Sequence, residues 1–292
     1  MKKFENTRKH DGNITSQSFK YEIPYVYYHP LKITTDSIIF VYVGGNGSTI
    51  ALFDLMNYPL FDQHYLFAFE RMAHGNNRNR AKRFYPSYIK ELDIVLTQVK
   101  TLIPNHKIYL LGESWGSALA CLYLKKYPNK IAGAFIWNMP YKIKDAAATS
   151  WGHRLRLFFT KLIPSYFLGI QTYDSKPNNP IDKLSSNPLL IRITKVASAN
   201  KPSNNVSDIA AWLSFKPAWR FIVKNFNNDN LQLFYFQSGE DFLCDYQRWK
   251  RITQQFPTSK HIINYPRGYH ILFLEENNQV NIQLFNDILA RV

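Results

Sequence analysis

Ile108-Tyr109-Leu110-Leu111-Gly112-Glu113-Ser114-Trp115-Gly116-Ser117-Ala118-Leu119-Ala120-Cys121-Leu122 is the stretch on which the fold turns. It opens as a short, β-rich apolar run, passes through Gly-x-Ser-x-Gly, and continues into a helical pattern that lasts to Lys126. A strand followed by a sharp turn and a helix is the context that gives Gly-x-Ser-x-Gly its meaning, since the bare pattern matches many Gly- and Ser-containing turns. The turn forces Ser114 into a strained backbone conformation, and the glycines two residues to either side let strand and helix approach closely. The hydroxyl then emerges at the carboxyl end of a strand and the amino end of a helix, whose dipole favours developing negative charge.

Working outward, other continuous apolar runs read as strands: Ser37–Val43, Tyr65–Phe69, Lys107–Leu111, Ile131–Trp137, Leu231–Phe236 and Lys260–Tyr265. Continuous rather than alternating hydrophobicity suits strands covered on both faces, as in a parallel sheet. Between them, Tyr85, Ile89, Leu92, Leu96, Val99 and Ile103 form a helical stripe, and Val280, Leu284, Ile288 and Val292 repeat the spacing near the end. Strands alternating with helices imply right-handed βαβ units, so the fold class expected is α/β, with a mostly parallel central sheet flanked by helices. The rhythm breaks between Tyr141 and Lys224, where prolines, Asn/Ser patches and an amphipathic run from Trp151 to Ile170 occur. The expected division is therefore a core of residues 1–140 and 225–292 with an inserted, mainly helical cap at 141–224.

A serine hydroxyl is a poor nucleophile without a base. His270 follows the strand ending at Tyr265 and a Pro266-Arg267-Gly268 turn, which puts it in a loop at that strand's carboxyl end. The acid is expected in the loop after Leu231–Phe236, where Glu240, Asp241 and Asp245 lie close together. Asp241 is selected because its place after the Gly239 turn suits an inward-facing carboxylate that holds the imidazole's tautomer. The chain order Ser…Asp…His expected of such an elbow ties His270 to Ser114. Acyl transfer also needs oxyanion donors: the N–H of Trp115, after the nucleophile, and the N–H of Asn46 in Gly44-Gly45-Asn46-Gly47. No Lys-Ser/Thr follows those glycines, so a phosphate-cradling loop is not supported.

Composition narrows the class further. The 292 residues are 46% hydrophobic and 16% aromatic, enough to build a large core and wide apolar clefts. The net charge of +15 and pI near 9.6 fit accumulation at anionic surfaces or substrates and equally a Lys- and Asn-rich composition set by the host's base composition, so charge alone decides nothing. Peripheral contact with an anionic membrane fits that balance, but no nucleic-acid-reading motif accompanies it and the charge is dispersed. Cys121 and Cys244 have no Cys or His neighbour at ligand spacing, so neither a disulfide framework nor a metal site is expected, and no cofactor is called for. The amino-terminal stretch lacks the apolar core of a secretory signal and no run is long enough to span a bilayer, so a cytoplasmic location is expected.

These motifs resemble the monoglyceride lipase and lysophospholipase branch of the α/β-hydrolases, which also includes serine aminopeptidases. Gly44-Gly45-Asn46-Gly47 resembles that branch's His-Gly-x-Gly, and Glu70-Arg71-Met72-Ala73-His74-Gly75 its Asp-x-x-Gly-His-Gly. Asp93 falls where the helix before the nucleophile often carries Asp. Ser238 to Asp245 resembles the acid loop, and Gly268-Tyr269-His270-Ile271-Leu272 with Glu275 resembles the histidine loop. Gly44, Ala73 and Glu113 depart from the usual residues. The resemblance implies a hydrolase acting on a small-molecule or lipid acyl ester. Ser114-Trp115-Gly116-Ser117 is also similar to proline iminopeptidases, which leaves a serine aminopeptidase as the alternative. A basic, non-catalytic binding protein on the same fold is a reading of a different class, against which all three triad residues are present. The cap stretch contains no glutamate and only four acids, Asp145, Asp174, Asp182 and Asp208, among many Lys and Arg. A substrate ammonium needs carboxylates in a dry pocket, so this composition favours uncharged or anionic acyl substrates.

Overall fold

The apolar runs form strands that are buried along their whole length. β3 (Ile39–Val43), β4 (Tyr65–Phe69), β5 (Ile108–Glu113), β6 (Gly133–Trp137) and β7 (Leu233–Ser238) each carry buried residues at every position. With β1 (Lys9–Ser16), β2 (Tyr21–Tyr28) and β8 (Ile262–Tyr265) they make one eight-stranded sheet of order β1-β2-β4-β3-β5-β6-β7-β8. Pairing is parallel from β4 through β8, whereas β1 with β2 and β2 with β4 are antiparallel. This is the mostly parallel α/β sheet that the apolar pattern implies. The computed structural model describes residues 9–16, 21–46, 48–51, 63–77, 82, 84–140, 185, 188–199, 205–241, 243–256, 261–266, 268–271 and 286–292.

Alternation along each strand splits the core between the two faces of the sheet. In β5, Ile108 and Leu110 join Val41, Phe67 and Trp115 on one face, while Tyr109 and Leu111 join Phe40, Phe135 and Phe236 on the other. On the first face lie α1 (Pro86–Leu102) and α2 (Trp115–Lys126). α1 starts with Pro in its first turn and buries Ile89, Leu92, Leu96 and Val99, the stripe visible in the sequence. α2 is buried all round from Trp115 to Leu124, and α4 (Asn205–Asn225) lies over it through Phe215, Ala218, Trp219 and Ile222. Within residues 141–224, the described helices are α3 (Pro188–Ala199) and α4; residues 141–184, including the Trp151–Ile170 run, lie outside the described residues. Residues 280–285 of the final helical stripe do so as well. A short α5 (Tyr246–Thr253) connects β7 to β8. Among the described residues, no helix is long and apolar enough to cross a membrane.

β1 and β2 have no counterpart among the continuous apolar runs, and the reason is local. β1 reads Lys-His-Asp-Gly-Asn-Ile-Thr-Ser, and β2 alternates between buried and more exposed positions. An antiparallel edge hairpin with one half-wetted face needs no continuous hydrophobicity.

Strand order positions the site. From β3 the chain moves to β4 on one side and returns to β5 on the other, so the loops after β3 and β5 diverge at the carboxyl ends of neighbouring strands. Open α/β sheets bind ligands at such a switch point. The loops are pressed together there: a Cβ on Gly116 would overlap the carbonyl oxygen of Val43 and crowd that of Gly44. Gly116→Ala is therefore expected to lower stability by about 3 kcal/mol, the upper range for overpacking, read from urea denaturation. A loss below about 0.5 kcal/mol, typical of unconstrained surface sites, would show that strand and helix can separate at no cost.

Candidate active site

Ser114 sits between β5 and α2 with φ 52° and ψ −116°, a backbone conformation non-glycine residues rarely hold. Its N–H donates to the Trp137 carbonyl of β6 (3.0 Å), and Ser117 N–H donates to the Ser114 carbonyl (3.1 Å). Ser117 Oγ lies 2.8 Å from the carbonyls of both Gly112 and Trp137, binding the turn to β6 from beneath. Ser114 is 8% exposed, against 2% for Glu113 and 0% for Trp115 and Ser117.

Asp241 and His270, from the loops after β7 and β8, are brought together. His270 Nδ1 and Asp241 Oδ2 are 2.8 Å apart, with both residues buried. Asp241 Oδ1 accepts from the N–H groups of Leu243 (2.8 Å) and Cys244 (3.1 Å). The two other acids of that loop are used elsewhere or face solvent. Asp245 caps α5 by accepting from Arg248 N–H (3.0 Å), and Glu240 is exposed. Burial on its own would raise the Asp241 pKa, but the His270 charge and hydrogen bond, with the Cys244 and Leu243 donors, bring it below the ordinary value. Burial likewise opposes the His270 cation, yet the Asp241 charge and hydrogen bond and the Glu113 charge outweigh it, and the imidazole pKa lies above 6.5.

Asn138 ties these loops to the elbow, and nothing in the sequence pattern singled it out. It follows β6 with φ 50°. Its Nδ2 donates to the carbonyls of His270 (2.7 Å) and Tyr269 (3.0 Å) and to Ser238 Oγ (2.8 Å), and its Oδ1 accepts from Ser238 N–H (2.8 Å). Since Ser114 N–H is bonded to Trp137, one side chain and one backbone step connect the elbow to the histidine loop. The detectable signal was an Asn directly after an apolar strand, where its tolerance of positive φ is useful.

The loop after β3 lies against the elbow. A Cβ on Gly45 would stand 3.0 Å from Glu113 Oε1 and 3.1 Å from Ser114 Cβ. Glu113 is buried and accepts from Tyr42 OH (2.8 Å) and, at the edge of hydrogen-bond range, from Ser48 Oγ (3.5 Å). The Asn46 side chain is exposed and reaches His74 Nε2 (3.2 Å). The segment Glu70–Gly75 is anchored on every side: Glu70 accepts from Thr49 Oγ1 (2.8 Å), and Met72 N–H donates to Glu91 (3.0 Å). Burial lifts Glu91 to about 8 against the lowering effect of that backbone bond. Asp93 has a different job, accepting from Tyr123 OH (2.8 Å) and Lys130 (2.6 Å) to brace α1 against α2.

Among the described residues, potential metal-ligand atoms of Asp241, Cys244 and His270 lie within 4.8 Å of one another. Two of the three are hydrogen-bonded to each other, and Cys244 Sγ donates to the Asn138 carbonyl (3.3 Å). An internally satisfied acid–imidazole pair describes the group better than a vacant cation site.

Removing the Asn138 amide strands several buried partners at once. Asn138→Ala should cost about 3 kcal/mol in urea denaturation, from buried groups left unpaired. Asn138→Gly frees the φ 50° backbone but not the partners, so it should lose nearly as much. Recovery of most of the stability in the glycine variant would assign the cost to backbone strain instead.

Comparison with known proteins agrees with this architecture. The chain superposes on a soluble variant of monoglyceride lipase from Saccharomyces cerevisiae, in complex with a substrate analogue, with a TM-score of 0.67, 16% identity and coverage of 99% of this chain and 96% of that one. Monoacylglycerol lipase of Paleococcus ferrophilus gives a TM-score of 0.66 at 14% identity, covering 93% of this chain and 100% of that one. A thermostable carboxyl esterase from Bacillus coagulans, in complex with glycerol, gives 0.63 at 14% identity, covering 97% of both chains. At such identities these likenesses establish the fold. In sequence, protein phosphatase methylesterase 1 of Candida albicans is 27% identical over 110 residues, which span 38% of this chain and only 30% of that protein. The family described as serine aminopeptidase, S33 matches residues 36–277. With most of its length matched, this chain belongs to the serine aminopeptidase S33 family of α/β-hydrolases.

Proposed function

We propose that this serine hydrolase cleaves carboxylic esters, such as acylglycerols, lysophospholipids or small acyl esters, through an acyl-enzyme on Ser114. In this reading His270 Nε2 removes the Ser114 proton as Oγ attacks the ester carbonyl. Asp241 holds Nδ1–H and stabilises the imidazolium. Backbone N–H groups of Asn46 and Trp115 receive the oxyanion. The tetrahedral intermediate then collapses, His270 returns the proton to the departing alcohol, and water repeats the sequence to release the acid. The observation that carries this reading is the buried 2.8 Å Asp241–His270 hydrogen bond at the same end of the sheet as the strained Ser114.

The family's description keeps aminopeptidase action as a second reading. That chemistry needs a carboxylate for the substrate ammonium. Outside the cap, Glu113 directly precedes Ser114 in the chain, and it is 2% exposed and already engaged by Tyr42 and Ser48. This favours esters, as does the absence of glutamate from 141–224. We further propose that the 141–224 stretch, anchored on α2 by α4 at its end, caps the nucleophile with its earlier part, and that its Lys and Arg residues favour neutral or anionic acyl substrates, with peripheral contact at anionic membranes.

Ser114→Ala should lose roughly 10⁶-fold in kcat on a p-nitrophenyl ester, and Asp241→Asn roughly 10⁴-fold. Asp245→Asn should lose far less, because that carboxylate only caps a helix; equal losses at 241 and 245 would assign the wrong acid. His270 must be neutral to accept a proton, and its pKa lies above 6.5. Ester hydrolysis should therefore decline as pH falls through a midpoint above 6.5, while the folded enzyme persists. A flat profile down to about pH 5 would contradict a histidine base. Against substrate class, kcat/KM for a medium-chain ester should exceed that for prolyl and alanyl anilides. Efficient turnover of free-amine anilides that acetylation abolishes would establish the aminopeptidase reading instead.

A further inference from the structure

Arg71 is a guanidinium in a place that demands a reason. It is 3% exposed, no motif required it, and burial lowers its pKa only to about 10, so it remains a cation at neutral pH. Among the described residues, its Nη1 has no hydrogen-bond partner. Leaving part of a buried cation unpaired is costly, and that cost is tolerated where the rest of the group serves a purpose.

What the rest of the group does follows from peptide geometry. The Gly45 carbonyl oxygen and the Asn46 N–H belong to one peptide unit, and the described chain contains no cis bond. In a trans peptide, oxygen and hydrogen point in opposite directions, so a contact that fixes the oxygen also aims the N–H. Arg71 Nη2 donates to the Gly45 oxygen (2.5 Å), and Ser48 N–H donates to it from the other side (3.1 Å). Arg71 Nη2 also stands 3.2 Å from His74 Nε2. His74 Nδ1 donates to the Met72 carbonyl (2.9 Å). The guanidinium lies over the Trp115 indole, 4.4 Å from the ring centroid. One side chain therefore touches both segments whose backbone N–H groups are assigned to the oxyanion.

We propose that Arg71 is the positioning residue of the oxyanion site: it locks the Gly45–Asn46 peptide with the Asn46 N–H turned toward Ser114 and holds Trp115 beside it. The inference rests on the acyl-enzyme reading given above. Its role is exercised in the tetrahedral state rather than in substrate binding, so it separates kcat from KM. Arg71→Met removes the charge and both polar contacts. Arg71→Lys keeps the charge but cannot both bond the carbonyl and lie flat on the indole.

The experiment measures kcat and KM on a p-nitrophenyl ester, together with the inhibition constant of a trifluoromethyl ketone, whose hemiketal adduct carries an oxyanion. Circular dichroism and thermal melts establish that each variant is folded, and Arg71→Lys carries the test if Arg71→Met does not fold. In both folded variants kcat should fall about 10²-fold with KM changed less than about threefold. The trifluoromethyl ketone should weaken by about the same factor as kcat. A folded variant that retains kcat and ketone affinity, or one in which only KM rises, overturns the assignment. Ser114→Ala in the same assay separates the two claims. If it still turns over ester, the acyl-enzyme reading is wrong. If it is inactive while the Arg71 variants retain kcat, only the positioning role fails.

Discussion

The left-handed backbone of Ser114 is the constraint on which the rest of the site depends. Holding a non-glycine residue at φ 52° and ψ −116° costs about 1–3 kcal/mol, so its surroundings must leave no relaxed alternative. Three features supply that confinement. Gly116 lets α2 touch the backbone of β3, Ser117 fastens the turn to Gly112 and Trp137, and ten consecutive buried residues seat α2 between the sheet and α4. The strain is local, whereas the burial that opposes it extends over a whole helix.

Around that turn many polar groups are buried, and most of them are hydrogen-bonded to one another or to the backbone. Asn138, Glu113, Glu91, Arg71 and His74 all lie below 4% exposure; Asn138, Glu91, Arg71 and His74 each bond a backbone group, and Glu113 accepts from the Tyr42 and Ser48 hydroxyls. Backbone is the useful target: a side chain that holds a carbonyl fixes the direction of the whole peptide. The acid and histidine loops are secured by Asn138, and the loop after β3 by Arg71 and Glu113. Each loop leaves the carboxyl end of a parallel strand, so the sheet sets their spacing and the side chains set their orientation. Preorganisation of this kind costs no rearrangement when charge develops.

This division explains what the sequence revealed. β3 to β8, α1 and α2 were legible because their signals are local: a continuous apolar run, or a 3.6-residue stripe. The placement of Ser114, Asp241 and His270 in loops past strands was legible because each stands at a turn just past such a run. The β1–β2 hairpin was not, since a polar edge strand such as Lys9–Ser16 carries no apolar periodicity. α4 sits in a stretch whose composition read as cap, while its inner face packs on α2 through contacts about ninety residues distant. What Arg71 and Asn138 hold was invisible for a related reason. Each is a single polar residue after a strand, and only the folded chain shows which distant carbonyl it meets.

The central claim is that the strained serine at the β5–α2 turn is a nucleophile. Its most direct test is to treat the folded wild-type protein with a fluorophosphonate and locate the adduct by tandem mass spectrometry of the peptides. This account predicts one stoichiometric adduct on Ser114 that is slowed when His270 is protonated and absent from Ser114→Ala. No adduct on folded protein, or an adduct on another residue such as Ser117, would contradict it.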